Sequence, residues 1–218
     1  MKQQSEGTFK TIIDAAIEQG SDIVFISYSI LEDTEEKIKY ALTQILKKHQ
    51  REELFTPLYS CTKELISNAT KANAKQILVK EGKIENPDNP LEVVRKIRAI
   101  LNERALHAYG IKAKKNRLST RTYFKVNGDT LTIEVINNLP LSKEELKRII
   151  DRIERSSTYD SIADFYLENP DPVAEGMGLG LSMVVVLLKS INVSYKNFVF
   201  KTDWEQKTYA TLYIPLRL

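Results

Sequence analysis

Within KELISNATKAN, residues 63–73, Glu64, Asn68 and Lys71 fall at i, i+4 and i+7 and so share one face of a helix. Leu65, Ile66 and Ala69 face the other way. A carboxylate, a carboxamide and an ammonium in one row have distinct capacities beside a phosphorylated ligand. The Asn oxygen suits magnesium, a hard cation that takes oxygen ligands. The Lys meets phosphate charge, and the Glu can orient or activate water. An ordinary helix with a solvated polar stripe shows the same spacing.

A second stretch, EGMGLGLSMVVVLLKS (175–190), sets Gly176, Gly178 and Gly180 at alternate positions ahead of an apolar run. A dinucleotide fingerprint needs its glycines directly after a strand, whereas ENPDPVAE precedes these and Leu181 stands where the last glycine belongs. A Walker loop needs Gly-Lys-Ser/Thr, which is missing. A flexible lid hinge remains, its amides at a helix start where an anion is well placed. Close packing at a helix start accounts for the same glycines.

These residues need elements to hold them. Phe9, Ile12, Ile13, Ala16 and Ile17 predict a helix ending at Gly20, and DIVFISYSI (22–30) alternates like a strand. A helix over 34–50 follows, a break near Pro57 and a helix over about 58–74. KQILVKE (75–81) reads as a short strand, and 91–110 as an amphipathic helix stopped by Gly110 and followed by a basic connector. Alternating runs on either side of Asn127-Gly128 predict a hairpin with a tight primed turn. Ser142 and Glu145 form a capping box ahead of Leu146, Ile149, Ile150 and Ile153. Residues 157–175 read as a mobile loop, then a buried helix and two strands close the chain. The mixed order with a hairpin predicts an α+β fold rather than a parallel wind.

The net charge of +3 is unevenly spread over 218 residues. Arg95 to Arg121 holds nine Lys/Arg against Glu103 alone, and Ser156 to Glu175 holds five acids and no base. Such segregation suits an anionic partner, or docking of one segment on the other. Arg95, Arg98, Lys112, Lys114, Lys115 and Arg117 are the candidate contacts for a protein partner. Nucleic acid is disfavoured, since only Tyr109 and Tyr123 lie near for stacking. One cysteine and two histidines exclude the usual structural zinc sets. No segment has the roughly 18 apolar residues of a membrane span, and the polar N-terminus lacks a signal-peptide core. The expectation is a cytoplasmic protein with no membrane contact.

ELISNATKA resembles the N box, and GMGLGLSMV the second glycine box, of the histidine-kinase-like ATPase (Bergerat-fold) superfamily. The likeness covers roughly residues 55–216, and KTYATLYIPL is similar to that superfamily's terminal strand. It implies a two-layer α/β sandwich with a mixed, mostly antiparallel sheet under helices. One domain over 1–218 would then carry an N-terminal helix and strand extension (1–54) and a basic insertion (84–120). The implied ligands are ATP and Mg2+. Glu64 would be the catalytic residue, Asn68 the magnesium ligand and Lys71 a phosphate contact. Asn137 and Thr208 would hold adenine, and Gly176, Gly178 and Gly180 would hinge the lid. The implied role is signalling, as a kinase or ATPase acting on a separate protein.

The first glycine box departs from the pattern. VINNLPL puts Asn137 where the superfamily has an adenine-reading Asp, and Leu139 and Leu141 where it has glycines. An uncharged acceptor costs about 1–2 kcal/mol, roughly tenfold in affinity, and leucines that fill the base's space cost about 1–3 kcal/mol. Lys207 also replaces a glycine of the last box. EELFTPL (52–58) is similar to a phosphoacceptor box, but Glu52 takes the His position. Any phosphoacceptor would therefore lie on another protein. The alternative is a regulatory pseudokinase with impaired nucleotide binding that holds a protein partner.

Overall fold

The computed structural model describes residues 2–29, 32–86, 89, 92–93, 95–97, 103–168 and 177–217. Helix α1 (Lys2–Glu18) leads to β1 (Ile23–Ser27), α2 (Glu32–Lys48) and a short 3-10 turn at Glu52–Leu54. The long α3 (Phe55–Lys80) follows, then α4 (Glu103–Lys115) and the hairpin β2 (Thr120–Asn127) and β3 (Thr130–Asn137). The chain closes with α5 (Lys143–Ser156), α6 (Ile162–Glu168), α7 (Met177–Ser190), β4 (Phe198–Thr202) and β5 (Thr208–Pro215). The fold is α+β, as the element order predicts.

The sheet has the order β1-β2-β3-β5-β4, and every pairing is antiparallel rather than mixed. Its helix-facing side is built in rows that cross all five strands. Ile23, Phe124, Ile133, Leu212 and Phe198 form a wholly apolar row. Phe25, Thr122, Val135, Ala210 and Phe200 form the next, and Ser27, Thr120, Asn137, Thr208 and Thr202 a wholly polar third. The core therefore changes from oil to hydrogen-bonding groups along the strands. The N-terminal segment is integral to this core: β1 is a strand of the sheet, and Ile13, Ile38 and Leu42 are buried within the principal cluster.

Helix α3 spans both ends of that gradient. Leu58, Leu65 and Ile66 are buried in the principal core, and Ala74, Ile77 and Leu78 in a second cluster with Tyr109, Ala113 and Leu118. That second cluster corrects the expected strand at 75–81. The run is β-branched, but its buried positions keep helical spacing, and a helical partner, α4, covers them. Gly82, at φ +68°, ends α3 by donating to the Val79 carbonyl at 3.0 Å while Lys83 donates to Leu78 at 2.9 Å. Pro57 breaks nothing, because it lies in the first turn, where its missing N–H has no helical partner to lose.

Three further expectations change. Gly110 does not stop its helix, and α4 runs on through most of the expected basic connector to Lys115. A Cβ on Gly110 would fall 2.5 Å from that of Ser29, so the glycine serves close approach of α4 to the segment after β1. The expected loop at 157–175 contains α6, whose Phe165 is buried edge-on to Tyr159. The hairpin is as predicted but turns one residue later: Asn127 pairs with Thr130, and Gly128, at φ +57°, opens the turn. The capping box forms in full, with Ser142 Oγ accepting from the Glu145 amide at 3.1 Å and Glu145 Oε2 accepting from the Ser142 amide at 3.0 Å.

Gly110→Ala is expected to destabilise the fold by about 1–3 kcal/mol, the usual cost of overpacking. Adding Ser29→Gly, which removes the opposing Cβ, should recover most of it. Urea unfolding of both variants measures this.

Candidate functional site

Docking α3 on the sheet carries its polar row inward. Asn137, last in β3, donates from Nδ2 to the Ala69 carbonyl of α3 at 3.4 Å and leaves its Oδ1 without a partner. Asn68, the residue before Ala69, has both side-chain atoms buried and unpartnered. One turn earlier, Glu64 Oε1 is also buried and unpartnered. Each such atom costs about 1–3 kcal/mol relative to a satisfied one. Several in one place, between one helix and one strand end, mark a site that meets water or a ligand rather than a packing accident.

Helix α7 closes the far side. A Cβ on Gly180 would lie 1.7 Å from Glu64 Oε1 and 2.2 Å from its Cδ, so any side chain there must displace the carboxylate. Gly178 and Gly180 both lie within α7 rather than in an extended hinge, and Gly176 falls outside the described residues. Leu181, Val184, Val185 and Leu188 are buried in the principal core, and Ser182 Oγ meets Ser156 Oγ of α5 at 2.8 Å. The apolar run after the glycines thus fixes α7 so that Gly180 faces Glu64.

Burial raises the Glu64 carboxyl above its ordinary value of 4.5. The Lys71 charge pulls the other way, and burial wins. Lys71 is half-buried and acts on Glu64 through its charge. The structure thus gathers Glu64, Asn68, Lys71 and Asn137 around one stretch of α3, with Gly180 against Glu64.

Thr208 sits directly opposite Asn137 in the β3–β5 pairing, and its hydroxyl donates to the Leu139 carbonyl at 2.7 Å. Leu139 itself packs against the second apolar cluster. Asn138 turns outward and staples the loop, accepting from the Ser119 amide and donating to the Arg117 carbonyl, both at 2.6 Å. The Leu141 amide donates to Thr202 Oγ1 at 3.3 Å. A stretch that lacks the expected glycines is therefore tied down by two asparagines and two threonines.

Sequence reasoning missed the depth of the polar region. Ser27, Asn73, Thr120 and Thr122 are all buried. Ser27 Oγ, Thr122 Oγ1 and Asn73 Oδ1 have no partner, and Asn73 Nδ2 reaches Thr120 Oγ1 only at 3.5 Å. The signal was available in part, because Thr120 and Thr122 stand at the inward positions of an alternating strand.

The basic segment does not clasp the acidic one among the described residues. Lys112 pairs with Glu81 and lies 4.8 Å from the Tyr109 ring centroid, and Lys114 lies 5.8 Å from that of Tyr28. Asp160 instead pairs with Lys189 of α7 at 2.6 Å. Arg95, Lys114, Lys115 and Arg117 are exposed, and Arg98 falls outside the described residues.

No family model matches the chain, and no solved structure matches it. The chain is similar to an uncharacterised protein of Treponema pallidum (strain Nichols), at 26% identity over 205 residues. The match covers 93% of this chain and 39% of that protein, so the chain spans about two fifths of its relative's length. No described helix is long and apolar enough to cross a membrane.

Two outcomes test the geometry around Glu64. Its raised pKa means the folded state holds the proton more tightly than the unfolded chain. That contribution favours folding below the ordinary value of 4.5 and is lost as pH rises through the folded value. Glu64→Gln should therefore melt higher than the wild type at neutral pH, with the gap closing in acid. A gap that ignores pH would show that Glu64 ionises as it does in water. Gly180→Ala should cost about 1–3 kcal/mol by overpacking, and most of that cost should vanish in a Glu64→Ala background. A double-mutant cycle by urea unfolding reads the coupling.

Proposed function

We propose that the chain is a nucleotide-binding domain of the histidine-kinase-like ATPase type, with the Bergerat arrangement of sheet and helices, that takes Mg-ATP against α3. The observation that carries this reading is the set of buried, unpartnered polar atoms Glu64 Oε1, Asn68 Oδ1 and Nδ2, and Asn137 Oδ1. They belong to the residues that the resemblance in the sequence would make the catalytic carboxylate, the metal ligand and the base contact.

The residues fit the implied ligands unevenly. For magnesium, Asn68 Oδ1 offers an uncharged oxygen. Among the described residues no group of three or more His, Cys, Asp or Glu could hold a metal. A cation there would thus draw its remaining oxygens from phosphate and water, as magnesium commonly does. Lys71 would face phosphate charge. ATP brings the phosphoanhydride to be broken; the chain's own contribution is to bind, orient and shield. Glu64, desolvated by α7, would orient the attacking group and accept its proton, with Lys71 holding down the carboxyl's affinity for protons. Asn137 Oδ1 would accept from an exocyclic base amine, Nδ2 being turned to Ala69.

A second reading rests on Leu139. It packs on the second apolar cluster, at a position where the resemblance would have a glycine of the loop beside the base. This favours a regulatory module with weakened nucleotide binding, holding a protein partner through exposed Arg95, Lys114, Lys115 and Arg117.

Titration calorimetry with ATP and magnesium separates the two. The nucleotide reading expects a binding heat that needs magnesium, and Asn68→Ala should remove that need. Absence of heat at millimolar nucleotide ends it. The second reading then expects partner capture that ignores nucleotide and is lost on reversing the charges of Arg95 and Lys114.

A further inference from the structure

Strand β1 lies at one edge of the sheet and is bonded to β2 alone. Among the described residues no strand pairs with its other side, whose amides and carbonyls are a template for another strand. Natural edges are normally blunted by lysine, proline or a bulge. From Ile23 to Ile30 the sequence IVFISYSI has no charge, no proline and no glycine. The opposite edge, β4, carries exposed Lys201. On β1 the outward residues are Val24 and Ile26, 43% and 53% exposed. Two large exposed apolar side chains thus share one face of the edge that lacks a gatekeeper.

We propose that β1 pairs antiparallel with β1 of a second copy of this chain, centred on Phe25, joining the two sheets into one. The occupant is chosen by self-complementarity. A two-fold axis at Phe25 sets Val24 of each copy opposite Ile26 of the other, so the exposed aliphatics cover one another on the same face. Registers displaced by two residues keep only one such aliphatic pair and set Val24 opposite Tyr28 or Ile26 opposite Asp22. The inference does not depend on nucleotide binding.

Light scattering behind size exclusion, on the full chain from low to high micromolar, gives the mass. A particle of twice 25.0 kDa is expected at the upper end, and Ile26→Lys should return it to one chain. Circular dichroism of that variant shows whether it is folded. A cross-link reads the register without relying on a destabilised chain. Val24→Cys mixed with Ile26→Cys should form a disulfide between copies on mild oxidation, and neither variant alone should do so comparably. The native Cys61 is buried and does not interfere. A single-chain mass at every concentration overturns the proposal and leaves the edge to a strand of another protein. A dimer that survives Ile26→Lys, or a cross-link as strong in Val24→Cys alone, overturns it equally.

Discussion

Helix α3 cannot bury its apolar stripe without taking its polar row out of water as well. Leu58, Leu65 and Ile66 enter the principal core, and each such burial contributes about 1.5–3 kcal/mol. The same docking desolvates Glu64, Asn68 and Asn73, whose unpartnered atoms cost about 1–3 kcal/mol each. Cys61, Ala74, Ile77 and Leu78 of the same helix are buried as well and add to the apolar side. The molecule therefore holds its polar region against a real opposing cost, and the apolar half of α3 is what keeps it in place.

The sheet makes that arrangement coherent. Because its helix-facing rows run from apolar to polar along the strands, the hydrogen-bonding end of the sheet meets the hydrogen-bonding part of α3. Asn137 and Thr208 are there because β3 and β5 pair in that register, and a slip by one residue would turn both to the other face. Helix α7 completes the enclosure. Its buried valines and leucines set its height on α3, and Gly180 gives Glu64 the room that any side chain would deny.

Much of this is legible in local spacing. The face shared by Glu64, Asn68 and Lys71, the hairpin around Gly128 and the capping box at Ser142 each depend on residues within a turn or two of one another. The misreadings have one physical cause. Residues 75–81 look like a strand, and Gly110 like a stop, only while their partners are unknown. α4 lying against Ala74, Ile77 and Leu78, and Ser29 lying against Gly110, decide both. The glycines of α7 suggest a lid hinge in sequence because their spacing says nothing about what lies opposite them.

The sequence by itself determined which residues share a helix face or a strand face, since the periods of 3.6 and 2 are properties of the backbone. It also determined where the polar chemistry is concentrated on α3. Only the tertiary structure decided that Ser27, Thr120, Asn137 and Thr208 form one row, that Glu64 sits on Gly180, and that β1, among the described residues, is paired on one side alone. These relations join residues far apart in the chain, through strand register and close contact. No local period encodes a neighbour brought in from elsewhere in the chain.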